Sequence, residues 1–254
     1  MKLLNHKQIT ELLCKARDNK YPYSLNRLGD GEFMILKYPT YAEKKQCKER
    51  IDRWFDVDKL DDLQINAIRN NILVAYKNTN ILGVPDNIEI KKYPKWKNFV
   101  SICNKLGLLN KNQNLFYFYD IKHLNYKKIL NGQKVIYCIT CRNIGDKLKS
   151  AFNVGGVKSF LIAPEKYAFL KSLRSQYRKW KGKKHYPDLY NEILKWLSDI
   201  DVAGKIFLIG AGGLGKIYCN HVKDRGGIGI DIGSLFDAWA GIYTRPYLKD
   251  VSKL

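Results

Sequence analysis

The pattern of apolar and polar positions changes rhythm near the middle of the chain. Over the first hundred residues it is mixed. Ile9, Leu12 and Leu13 recur among polar neighbours and predict a helix over residues 7–18. Tyr23–Arg27 reads as a short strand that runs into the turn LGDGE, with a helix beginning at Phe33–Leu36. Residues 44–54 and 58–78 predict two helices, the second with an apolar stripe of Leu63, Ile65, Ile68, Ile72 and Val74. Ile81–Val84 reads as a strand closed by Pro85-Asp86, and a helix follows near 93–107.

From residue 115 the pattern becomes regular. Apolar runs at 115–119 (LFYFY), 134–140 (KVIYCIT), 157–163 (VKSFLIA), 205–210 (KIFLIG) and 227–233 (GIGIDIG) predict strands. Helical patterns near 122–130, 143–151, 164–179, 187–199, 213–224 and 234–240 fall between or after them. Strands that alternate with helices predict an α/β fold: a Rossmann-like, mostly parallel sheet with helices on both faces. Near-continuous apolar strands such as VIYCI and IFLI suit a sheet covered on both sides. No repeat, low-complexity tract or linker divides the chain, so residues 1–254 are expected to form one domain. Ligands of such sheets bind beyond the C-terminal ends of the strands, so the residues after each strand are the candidates for chemistry.

Charge alters this picture, and composition does not. Apolar residues make up 45% and charged residues 27%, which excludes a disordered or collagen-like chain. The net charge of +21 is unusual; it reads either as a Lys-rich, solvated surface, since the basic residues are spread along the whole chain, or as the mark of a partner that carries phosphate: a nucleic acid, an anionic membrane face or a phosphorylated small molecule. Of six cysteines only Cys138 and Cys141 have C-x-x-C spacing, and no second ligand pair completes a zinc site. Buried thiols in a reducing cytoplasm are expected. The N-terminus has no signal-peptide pattern, and no run reaches the roughly 18 apolar residues of a membrane span.

Three segments carry the candidate chemistry. In Arg27-Leu28-Gly29-Asp30-Gly31-Glu32, two carboxylates two residues apart flank Gly31 just after a strand. Asp30 and Glu32 suit Mn²⁺ or Mg²⁺, and the Arg27 fork matches a phosphate; a plain turn with a helix-capping Glu is the alternative. Gly210-Ala211-Gly212-Gly213-Leu214-Gly215-Lys216 follows a strand and opens a helix, where glycine and free N–H groups can cradle a phosphate, with close helix–strand packing and no ligand as the alternative. It matches G-x-G-x-x-G, with Asp231 where a ribose-binding acid would lie. Only 23 residues follow Asp231, too few for the rest of a dinucleotide domain. The third segment, GGIGIDIGSLFDAWAG, places Asp231 at a strand end and Asp237 in the following helix. Arg142, after strand VIYCI, is a further candidate for nucleotide contact, with a helix cap at Asn143 as the alternative reading of that turn.

RLGDGE near the N-terminus, with GAGGLGKIYCNHVKDRGGIGIDIGSLFDAWAG near the C-terminus, resembles the GT-D glycosyltransferases. LGVPD at 82–86 is also similar to a segment of that family. The resemblance implies a GT-D type fold and transfer of a sugar from a nucleotide-diphosphate donor, a UDP-sugar first, to a glycan acceptor. It implies a metal, Mn²⁺ or Mg²⁺, at Asp30 and Glu32. Donor contacts are then expected from Arg27, Gly29, Gly31, Arg142, Gly210, Gly212 and Gly213. Asp231 and Asp237 are the expected catalytic residues, ahead of Glu165 and His221 as acceptor bases. A lipid-linked acceptor at the cytoplasmic membrane face would use the basic charge; Arg174–Lys184 (RSQYRKWKGKK) reads first as a solvated helix end, with a peripheral contact with anionic headgroups as the alternative. No nucleic acid is expected, since no helix-turn-helix, RRM or zinc-finger signature is present. The competing readings are an NAD(P)-dependent oxidoreductase built on Gly210–Gly215 and a basic nucleic-acid-binding protein.

Overall fold

Eight short apolar segments assemble side by side, because each buries both faces only when helices cover it above and below. The computed structural model describes residues 2–40, 45, 48–49, 51, 60–109, 113–163 and 183–254. In chain order the elements are β1 (Lys2–Leu3), α1 (His6–Asp18), β2 (Tyr23–Arg27), α2 (Asp30–Lys37), α3 (Asp62–Lys77), β3 (Ile81–Val84), α4 (Asn87–Lys92), α5 (Phe99–Lys105) and β4 (Asn114–Tyr117). Then follow α6 (Tyr126–Leu130), β5 (Ile136–Thr140), α7 (Gly145–Phe152), β6 (Val157–Leu161), α8 (Tyr190–Asp199), β7 (Ile206–Gly210), α9 (Leu214–Asp224), β8 (Ile228–Asp231) and α10 (Leu235–Trp239). All strand pairings are parallel, in the order β1-β4-β3-β2-β8-β7-β5-β6.

Side chains alternate across the sheet and divide the core in two. Tyr137, Ile139, Phe207 and Ile209 point to the face covered by α2, α3, α5, α8 and α9. Leu25, Ile136, Cys138, Leu208 and Ile230 point to the face covered by α1, α6, α7 and α10. Because α7 and α9 lie on opposite faces, the connections leaving β5 and β7 diverge. These two strands are hydrogen-bonded neighbours, with Thr140 opposite Gly210. Their C-terminal ends therefore open the crevice in which sheets of this kind bind ligands.

The mostly parallel α/β expectation is met, with local differences. α2 starts at Asp30 rather than Phe33, because acidic side chains favour the first turn of a helix. The strand at 115–119 stops at Tyr117 and continues as 3₁₀ turns over Phe118–His123. The helix near 93–107 is two pieces, a 3₁₀ turn at Pro94–Trp96 and α5, separated by Asn98 in the left-handed region at φ 61°. α4 was not expected; Asp86 caps it by accepting from the Glu89 N–H. The helix expected over 164–179 lies outside the described residues, as does most of the one over 44–54. None of the five described cysteines forms a disulfide. No helix among the described residues is long and apolar enough to cross a membrane.

The register of α9 on β8 depends on one missing side chain. A Cβ on Gly229 would stand 2.8 Å from Cys219 Cα and 2.9 Å from its carbonyl oxygen, both helix backbone. Gly229→Ala therefore has to push α9 away from the sheet. We expect a loss of about 1–3 kcal/mol, read as a lower urea midpoint with an unchanged slope.

Candidate active site

Both charged motifs end at the same edge of the sheet. β2 and β8 are parallel neighbours, so Arg27 at the end of one and Asp231 at the end of the other meet. The Arg27 Nε donates to the Asp231 carbonyl at 3.0 Å, and Nη2 reaches Oδ1 at 3.3 Å. The Arg27 backbone N–H donates to Oδ2 at 3.2 Å. Gly233, at φ 50°, makes room for this arginine, since a Cβ there would lie 1.8 Å from Nη2. The Tyr76 hydroxyl donates to the Arg27 carbonyl at 3.0 Å and secures the strand end from the α3 side.

The glycine turn adds the opposite charge. α9 opens after Gly213, and Lys216 in its first turn extends back under the turn. Its Nζ lies 2.7 Å from Glu32 Oε1 and 2.8 Å from Asp231 Oδ2, and donates to the Gly212 carbonyl at 3.2 Å. The three N–H donors of the ammonium are thereby used. Arg27, Glu32, Lys216 and Asp231 form a buried, charge-balanced cluster that joins residues about two hundred positions apart. Burial alone would raise the Asp231 carboxyl, but the Arg27 and Lys216 cations outweigh it and hold the pKa below the usual value. Burial would likewise lower Lys216, and Asp231 and Glu32 reverse this to a raised pKa.

The other predicted residues surround this cluster. Asp30 stands at its rim with 41% of its side chain exposed, 3.4 Å from the Lys95 ammonium. Gly29 precedes α2, and a Cβ there would meet Glu32 Oε2 at 2.6 Å; Gly31 is buried within the helix. Gly210 packs under α10, where a Cβ would lie 2.6 Å from the Phe236 ring. Gly212 takes φ 54°, and Gly213 precedes α9 without a side-chain cap. Arg142, just past β5, pairs through Nε with Asp237 Oδ1 at 2.6 Å, and Thr244 donates to Oδ2 at 2.7 Å.

The expected bases fare differently. Asp231 has no exposed surface and both oxygens are held by cations, so it presents none to an acceptor hydroxyl. Asp237 is 14% exposed, with one oxygen on Arg142 and the other on Thr244. His221 is on the last turns of α9, 3.5 Å from Ser198 Oγ and far along the helix from the glycine turn. Glu165 lies outside the described residues, as does most of Arg174–Lys184.

Three participants escaped the sequence reading. Lys216 closes the glycine motif, but nothing local shows that its ammonium turns inward. Thr244 and Tyr247 come from the C-terminal segment, whose return to the strand ends is a tertiary fact. The Tyr247 hydroxyl lies 3.5 Å from Arg27 Nη1 and 3.2 Å from Ser234 Oγ, and its ring is 4.3 Å from that of Tyr119.

Two outcomes follow from the buried cluster. Lys216→Met leaves two carboxylates facing Arg27 alone and is expected to cost about 3–5 kcal/mol. Adding Glu32→Gln should recover part of that loss in chemical denaturation. The lowered Asp231 pKa adds stability that is present above 3.8 and is lost as pH falls through the lower folded value. The acid-side fall in the urea midpoint should therefore be shallower in Asp231→Asn than in the wild type.

Comparison with known proteins identifies the fold and the family. The GT-D fold-like domain family matches residues 4–239. A selenomethionine-substituted structure of domain of unknown function 1792 superposes with a TM-score of 0.56 at 12% identity, covering 100% of this chain and 91% of the other. A glycosyltransferase of the same domain type from Streptococcus sanguinis superposes with a TM-score of 0.54 at 10% identity, covering 100% and 94%. No curated protein sequence matches the chain. With nearly the whole chain matched, and both motifs of that resemblance joined at one sheet edge, the protein belongs to the GT-D-like family, that of the GT-D glycosyltransferase fold.

Proposed function

We propose that this glycosyltransferase moves a sugar from a nucleotide-diphosphate donor, a UDP-sugar first among the candidates, to a glycan acceptor. One observation carries the reading. Lys216 draws Glu32 of the N-terminal motif and Asp231 of the C-terminal motif into a single cluster, with the glycine turn bonded to the same ammonium. That cluster holds the turn at the mouth of the crevice, where the free N–H groups and the positive end of α9 favour a phosphate. Asp231 acts here as a positioning residue. It fixes Arg27 and Lys216, and through them the loops that face the donor.

Metal binding is supported on one side only. Glu32 Oε1 is engaged by Lys216, and no group of three His, Cys, Asp or Glu side chains converges among the described residues. Asp30, at the rim, fits the habit of Mg²⁺ and Mn²⁺ of taking one or two carboxylates and completing their shell with phosphate oxygens. A divalent ion held there would supply positive charge beside the departing diphosphate. The oxidoreductase alternative loses its acidic ligand, because the Asp231 carboxylate is sealed by Arg27 and Lys216 and offers nothing to a ribose. The basic charge suits an anionic donor, and a lipid-linked acceptor at the membrane face remains part of the proposal.

A donor screen tests the reading. Purified protein is incubated with a panel of nucleotide sugars, with Mn²⁺ or with EDTA, and released nucleoside diphosphate is recorded. We expect release from one donor, faster with Mn²⁺, and Asp30→Asn should lower kcat/KM about a hundredfold with the melting temperature retained. Absence of both release and binding for every donor would overturn the proposal. Equal rates in EDTA and Mn²⁺ would remove Asp30 from the metal role.

A further inference from the structure

The guanidinium of Arg142 is buried and only one of its three nitrogens is accounted for. The residue is 2% exposed. Its Nε is bound to Asp237, while Nη1 and Nη2 are enclosed and meet no hydrogen-bond partner. A guanidinium without partners for its fork is costly inside a protein, and the fork geometry suits two oxygens of one oxyanion. The remaining carboxylate oxygen nearby does not serve it, since Asp237 Oδ2 accepts from Thr244.

The position of this fork is set by the fold. Thr140 pairs with Gly210 in the sheet, and the Thr140 hydroxyl accepts from the Arg142 backbone N–H at 3.1 Å. On the far side, Asp237 follows Phe236, whose ring closes over Gly210. Arg142 is thus held from both sides of the glycine turn, at the point where the connections from β5 and β7 diverge. Four residues after Gly210 begins α9, an 11-residue helix whose first turn has no side-chain cap. An uncapped helix start and an unpartnered buried guanidinium are independent features with one preference, a phosphate.

We infer that Arg142 is the receiver of a diphosphate, gripping two of its oxygens through Nη1 and Nη2 while Asp237 and Thr244 hold it in position. The inference rests on the proposed nucleotide-sugar chemistry and deepens it. The positive fork meets charge that grows on the diphosphate as the sugar leaves. Two sources share this chemistry, the donor nucleotide and a lipid-linked acceptor.

The test is binding by calorimetry in EDTA, so that no metal contributes. UDP, inorganic pyrophosphate and farnesyl diphosphate are titrated into the wild type and Arg142→Lys. Lysine keeps the charge and loses the fork, and affinity for at least one diphosphate should fall about tenfold or more. Loss for UDP assigns the donor, and loss for farnesyl diphosphate alone assigns the acceptor. Asp237→Asn, which preserves shape, should weaken the same ligand to a smaller extent and serves if the lysine variant fails to fold. Unchanged affinity for all three ligands in the folded variants, or no binding by the wild type, would overturn the inference. If pyrophosphate binds through Arg142 but no nucleotide sugar is turned over, the diphosphate site stands and the transferase reading falls. If turnover occurs with the same kcat and KM in Arg142→Lys, the transferase reading stands and Arg142 loses this role.

Discussion

The ammonium of Lys216, buried between Glu32 and Asp231, is the interaction on which the site depends. Two carboxylates brought to the edge of one sheet repel each other and resist leaving water. A single lysine from a third element removes both objections. Because Asp231 also binds Arg27 through its side chain and its carbonyl, the ends of β2 and β8 and the start of α9 cannot shift independently. Such a cluster contributes little net stability compared with apolar packing, but it makes one arrangement of the loops far better than its neighbours.

The sheet explains why the polar groups gather where they do. All strands run parallel, so every C-terminal end lies on one edge of the sheet. β2 delivers Arg27, β5 delivers Arg142, β7 delivers the glycine turn and β8 delivers Asp231. The glycines are largely a matter of space. Gly233 leaves room for the Arg27 guanidinium, Gly210 for the Phe236 ring and Gly229 for the α9 backbone. The close-packed backbone that results is what allows buried charges from distant segments to pair directly.

Charge organises the site in two tiers. The inner tier, Arg27, Glu32, Lys216 and Asp231, is balanced and satisfied. In the outer tier Asp30 lies at the rim beside the Lys95 ammonium, and Arg142 has an enclosed fork without partners. The inner tier ties together the ends of β2 and β8 and the start of α9. Asp231 is held at a lower pKa than usual and Lys216 at a higher one, so this pair stays ionised throughout the physiological range.

Much of the fold was legible because it is written in local periodicity. The apolar runs at 134–140 and 205–210, and the alternation with helices, determine a parallel sheet covered on both faces. The motifs RLGDGE and GIGIDIG at strand ends marked Arg27, Asp30, Glu32 and Asp231 as candidates. What local pattern does not carry is which strand lies beside which, and hence which charges meet. Asp231 reads as an available acid in the sequence, yet the neighbouring Arg27 and Lys216 close it off. Lys216 reads as one more lysine in a basic chain, yet α9 turns it inward. Arg142 and Asp237 are 95 positions apart, and only the convergence of β5 and α10 on the glycine turn pairs them. The sequence by itself determined the elements and the residue types at the strand ends; the tertiary structure decided their burial and their partners, because electrostatic pairing depends on distance through space rather than along the chain.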